Sequence, residues 1–211
     1  MMARNWGLKD KKALVTGDNE VATAVRSALS AEGTQIANSG DTNVHIVVNA
    51  SADIRSPFST DLGASSETWH ADMVHHFDET RKITHSALPF MIENEFGRVV
   101  NVIGSFEPMH FNSEFAAWGA VAAWSKSLTR EVGKYGITIN SIQPSLIDCD
   151  TTRKKWLDEE LKAYVSKRIP TGQMCKPSDV ANITTYLCSS FARYITGTVI
   201  PVDGGMSRHQ H

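Results

Sequence analysis

The chain has 211 residues, with 21 Lys and Arg against 23 Asp and Glu, a formal net charge of -2 and 41% hydrophobic residues. Domains commonly run about 100–200 residues, so this length suits a single domain with a full core. The even charge argues against nucleic acid as a partner, and no apolar run reaches the roughly 18 residues that a membrane span needs.

The opening stretch from Met1 to Gly7 holds no apolar segment ahead of a cleavage site, so secretion is not expected. Cys149, Cys175 and Cys188 share no metal-ligand spacing and read as free thiols of a reducing cytoplasm. In chain order, Lys12 to Thr16 predicts a strand ending in a turn at Gly17. A helix follows from Val21, with Gly33 beyond its end. Thr34 to Ala37 is a weak second strand, and Val44 to Val48 a stronger one of the kind buried in a parallel sheet. A long helix is expected from Ser66 to Glu93, interrupted near Pro89. Arg98 to Ile103 is the next strand, Phe115 to Tyr135 a helix, and Ile137 to Ile142 a strand. One charged helix from Thr152 to Lys167, another from Pro177 to Ser189 and a last strand from Thr198 to Val202 complete the pattern. Strands alternating with helices imply a doubly wound, Rossmann-like α/β sheet, expected as one domain over residues 1–211.

The helix from Phe115 to Tyr135 is small or apolar almost all round, where a surface helix would show a polar face. Either it lies buried within its own chain, or its second face packs on another subunit; the small residues favour the subunit contact.

Several segments together resemble the short-chain dehydrogenase/reductase family. These are Ala13 to Gly17, Ile46 to Ser51, Ala87 to Met91, Gly97 to Val102, Gly136 to Pro144 and Tyr194 to Gly205. The likeness spans nearly the whole chain. It implies the Rossmann-like fold and a nicotinamide dinucleotide held by a glycine-rich loop after the first strand. Here that loop keeps Gly17, while Val21 and Thr23 stand where two further glycines are expected, and Asp18 and Glu20 add negative charge. Thr34–Ala37 and Val44–Val48 are also too close for the strand–helix–strand unit of about 30 residues that the family places there, so this region is expected to be truncated. On both grounds no dinucleotide is expected in this chain.

The family's reaction uses a Tyr as general acid/base, a Lys four residues later, a Ser and a relay Asn. Counting from the Trp124–Glu131 segment, the Tyr position falls on Glu114 and the Lys position on Trp118. The relay Asn position falls on His76 and the Ser position on Gly104, with Ser105 beside it. Ser145 replaces the Gly of a Pro-Gly pair, and Cys149 stands where a Thr contacts the cofactor. A carboxylate lacks the tunable phenol proton, and an indole lacks the charge that tunes it.

These departures lead to the expectation of a catalytically inactive subunit, resembling the companion chain of a heteromeric dehydrogenase such as the one acting on hydroxy(phenyl)methyl-succinyl-CoA in anaerobic toluene breakdown. It would stabilise an active NAD-dependent alcohol dehydrogenase paralogue in a cytoplasmic heterotetramer, through the helix from Phe115 to Tyr135 and the C-terminal segment from Val199 to Gly205, with NAD in the active partner. The alternatives are a homomeric ligand-binding or regulatory relative, and a repurposed enzyme using Glu114 and His76 with Ser105. No metal is expected: His70 and His75 lie five apart, off one helix face, and His209 and His211 belong to a tail. Trp156, Leu157, Leu161 and Tyr164 are expected to form the packing face of a lid-like helix whose charges are solvated.

Overall fold

The computed structural model describes residues 6–51, 62–105 and 112–207. Six parallel strands form one sheet in the order β2-β1-β3-β4-β5-β6. They are β1 (Lys12–Val15), β2 (Gln35–Ile36), β3 (Ile46–Asn49), β4 (Gly97–Val102), β5 (Ile137–Pro144) and β6 (Val199–Val202). The helices are α1 (Glu20–Ala31), α2 (Ser66–Asp72), α3 (Glu79–Glu93), α4 (Ser113–Val132), α5 (Asp150–Lys155), α6 (Asp158–Arg168) and α7 (Pro177–Cys188).

The two faces of the sheet follow from strand alternation. Ile46 and Val48 of β3 and Val100 of β4 turn toward the core shared with α1 and α7, where Val25, Leu29 and Leu187 meet them. Val47 and Val99 turn the other way, against Leu88 and Met91 of α3. Every residue of β3, β4 and β5 is buried, as strands covered on both faces must be. Removing one of these fully buried side chains, such as Leu29 or Ile142, costs about 2–5 kcal/mol.

Two expected helices differ from the structure. Between α2 and α3 the backbone forms a π-helical segment, Met73–Asp78, and the interruption lies there, while Pro89 sits inside α3. The helix expected from Thr152 to Lys167 is two helices, because Trp156 takes an extended backbone (φ -121°, ψ 144°). That turn buries its ring beside Leu146 and Leu161, and it leaves Leu157, expected on the same packing face, exposed.

The connection after β2 runs back to β3 with no helix between them, and β2 has only two residues, so the sheet is short on this edge as expected. The chain leaves β1 toward β2 and returns on the other side of β1 as β3. Such a reversal opens a crevice at the C-terminal strand ends, where open α/β sheets bind ligands.

Candidate functional site

The crevice begins at the turn after β1. Gly17 has φ +88°, and a Cβ there would meet the Ala50 carbonyl oxygen at 2.4 Å, so the turn demands glycine. Asn19 caps α1: its Oδ1 accepts from the Ala22 N–H at 2.9 Å and its Nδ2 donates to the Ala50 oxygen at 2.8 Å. Below the turn, Arg26 donates from Nη2 to the oxygens of Val15 and Gly17, at 2.8 and 2.6 Å. Glu20 reaches across to accept from the Asp150 N–H at 3.1 Å. A cavity of about 1020 Å³ opens here, lined among others by Gly17, Asp18, Thr23, His75 and Lys154.

Val21 does not line this cavity. It is buried in the core between α1 and α7, so its side chain points away from the phosphate path that its sequence position suggested it would obstruct. Thr23 does line it, with its hydroxyl donating to the Asn19 oxygen at 3.1 Å.

Deeper between β3 and β4 lies a chain of buried polar side chains. Asn49 donates from Nδ2 to Asn101 Oδ1 at 2.7 Å and to Thr84 Oγ1 at 3.2 Å, and Asn101 donates onward to Ser125 Oγ at 2.9 Å. Asn49 Oδ1 is buried without a partner. Sequence reasoning passed over this group; the signal was an Asn at the same paired position in two buried strands.

The π-helical segment aims His76 inward, and π-turns often mark functional sites. His76 Nε2 stands 3.7 Å from Glu114 Oε1, and both side chains are buried. Nearby on the same two stretches of helix, Ser113 donates a short hydrogen bond to Asp72, both again buried. Trp118 packs edge-on to His76, with centroids 5.8 Å apart. Its indole also fills the space over Gly104, where a Cβ would fall 2.0 Å from the ring. Gly104 and Trp118 are therefore a matched pair: the ring sits there because the strand end has no side chain. What remains between Asn49, His76 and Trp118 is a cavity of about 10 Å³, and Trp118 Nε1 is buried without a partner.

Of the other expected positions, Ser105 is half-buried at the end of the β4 loop. Ser145 is buried with its hydroxyl unpartnered. Cys149 stands just before α5, its Sγ 3.3 Å from Thr152 Oγ1. His76, Glu114, Trp118 and Gly104 come together, whereas Cys149 packs against the core shared by α1 and α7. Among the described residues, no three His, Cys, Asp or Glu side chains converge as a metal site would need. His75 pairs with Glu79 at 3.4 Å, and His209 and His211 lie outside the described residues.

A sequence-family model described as enoyl-(acyl carrier protein) reductase matches residues 12–207. This chain belongs to the short-chain dehydrogenase/reductase family. It is 34% identical over 130 residues to the 3-oxoacyl-(acyl-carrier-protein) reductase FabG of Aquifex aeolicus, a match covering 59% of this chain and 50% of that protein. The FabG of Haemophilus influenzae is 34% identical over 143 residues, covering 66% and 58%. The chain thus spans about half the length of the curated relatives it matches. Among solved structures, the TT0495 protein of Thermus thermophilus superposes with a TM-score of 0.84 at 24% identity, over 93% of this chain and 98% of that one, which establishes the fold.

These relatives correct one expectation. The substitutions at Glu114, Trp118 and Gly104 led to a catalytically inactive companion subunit, but the relatives are named as reductases, which points to an oxidoreductase.

The family implies a nicotinamide dinucleotide, and the residues present match only part of one. The crevice at Gly17 is open and has a cation in Lys154, although Asp18 and Glu20 place carboxylates near the diphosphate path. At the other end the Trp118 ring occupies the space over Gly104 where the nicotinamide would lie. With that ring in place the whole group does not fit.

Proposed function

We propose that the chain is an oxidoreductase interconverting a carbonyl and an alcohol, with His76 and Glu114 handling the proton at the substrate oxygen. The observation that carries this reading is the buried His76–Glu114 pair, whose imidazole also lines the small cavity beneath Trp118. An imidazole 3.7 Å from a carboxylate places a donor and an acceptor side by side, so the pair can give a proton to a developing alkoxide and take it back in the reverse direction. The names of the relatives supply the substrate class, a 3-oxoacyl thioester. The hydride would have to come from a reduced nicotinamide dinucleotide, which this chain could take up whole only if the Trp118 ring left the space over Gly104.

The same reading makes α4 a subunit contact with a second short-chain protein, in a heterotetramer that the C-terminal segment helps to build. Ala116 and Ala123 are exposed, Gly119 and Ala120 half-buried, and a Cβ added at Gly119 meets nothing within 4 Å. Small residues on one face allow helices to approach closely.

The test is to express the chain alone and with its same-family genomic neighbour, and to follow NADPH and NADH oxidation with acetoacetyl-CoA. Turnover is expected in at least one preparation, with a loss of about 100-fold or more in Glu114→Gln and in His76→Gln. No turnover in either preparation, or unchanged turnover in both variants, contradicts the proposal.

A further inference from the structure

A second depression, which shares no lining residue with the crevice at Gly17, lies between α6, the loop that follows it and the turn at Gly205 just past the end of β6. It encloses about 890 Å³, within the usual range for small-molecule sites. Leu161, Val165, Met174 and Met206 line it with apolar surface. Around them stand Lys162, Lys167, Arg168 and Lys176, all exposed. None of these four makes an ion pair among the described residues, whereas Arg153 holds Asp148 at 2.6 Å and neutralises it. Among the described residues Asp158 is the only other carboxylate in the lining, so the rim is cationic.

The floor is built in advance. Asp203 accepts from the N–H groups of Gly205 and Ser207, at 2.9 and 2.8 Å, and so pins the turn that presents Met206. The Thr171 N–H donates to the Gly204 oxygen at 3.2 Å, docking this turn on the loop after α6. Tyr164 Oη donates to Met206 Sδ at 3.4 Å, which fixes the sulfur against α6. A preformed apolar floor with a cationic rim lowers the ordering cost of a ligand that is apolar at one end and anionic at the other. Lysine and arginine clusters bind phosphate oxygens through charge-assisted hydrogen bonds.

We infer that this groove binds a single-chain alkyl or acyl phosphate monoester, the chain lying on Leu161, Val165 and Met206 and the phosphate among Lys162, Lys167, Arg168 and Lys176. The site is separate from the His76–Glu114 pair and does not depend on the chemistry there. It also gives α6 a role beyond packing.

The experiment is isothermal titration of the purified full chain with decyl phosphate below its micellar concentration. Inorganic phosphate and decyl maltoside serve as head-only and chain-only probes. One site per chain is expected, at least tenfold tighter for decyl phosphate than for either probe. The double variant Lys162→Glu, Lys167→Glu is expected to weaken it at least tenfold while leaving the thermal midpoint unchanged, since both side chains are exposed. Equal affinity for decyl maltoside, no effect of the charge reversal, or absence of saturable binding would overturn the proposal. So would binding seen only with phosphatidylglycerol vesicles, which would mark a membrane-facing patch instead.

Discussion

Gly17 and Gly104 both end a strand at the crevice, yet the structure needs them for opposite reasons. At Gly17 the obstacle to a side chain is backbone: φ is +88° and the Ala50 oxygen lies 2.4 Å from a would-be Cβ. At Gly104 the obstacle is another side chain, the Trp118 indole at 2.0 Å. A backbone demand can be met only by glycine, whereas a side-chain demand disappears when its partner is changed. One end of the crevice is thus fixed by the fold, and the other is shut by a replaceable ring.

Three sets of substitutions sharpen that contrast. The largest effect on stability is expected from Trp118→Ala, which removes a buried ring and costs about 3–5 kcal/mol in a denaturant titration. Gly17→Ala follows at about 3 kcal/mol, from the strained backbone and the carbonyl contact together. Gly104→Ala alone costs about 1–3 kcal/mol by overpacking, and combined with Trp118→Ala that cost vanishes. Gly17→Ala combined with Trp118→Ala should instead be additive. A Gly104–Trp118 cycle that is also additive would show that the two ends do not differ as described.

Smaller effects follow from titration. Burial raises the Asp203 carboxyl, but hydrogen bonds from Ser207, Gly205 and Met206 outweigh it and hold the group below its usual value. A depressed folded value means that the stabilisation is complete above the unfolded value of about 3.9 and is lost as pH falls through the folded value. The thermal midpoint of wild type should exceed that of Asp203→Asn at neutral pH, and the gap should close on acidification below about pH 4. Burial pushes the Cys175 and Cys188 thiols up to about 12. At neutral pH both stay protonated, so an alkylating reagent followed by mass spectrometry should label Cys149 first. Smallest in stability is Gly119→Leu, expected to change the midpoint by little because the space there is open, while dissociating any assembly built on α4 by light scattering.

The strands were legible because they are short apolar runs between turn residues, and the segment from Tyr194 to Gly205 carried the family likeness. The break in the long helix was not. Pro89 is a conspicuous signal, but a helix can pass through a proline, whereas the π-helical segment Met73–Asp78 has no residue type that announces it. Without that segment His76 could be numbered against the family but not placed opposite Glu114. Val21 misled in another way: its substitution for glycine was plain, but the direction of its side chain, into the α1–α7 core, depends on packing across the sheet. The Asn49–Asn101–Ser125 chain joins residues far apart in sequence and became visible only when β3 and β4 were paired. The inference of lost activity failed at the same place, since a list of replaced residues does not say what the replacements form together.

The most direct test of the proton-handling pair is kcat/KM for wild type, Glu114→Gln and His76→Gln at neutral pH, measured with acetoacetyl-CoA in whichever preparation turns over. The account predicts a drop of about 100-fold or more in each variant, with the thermal midpoint showing that both still fold. Folded variants that keep the wild-type kcat/KM would contradict it.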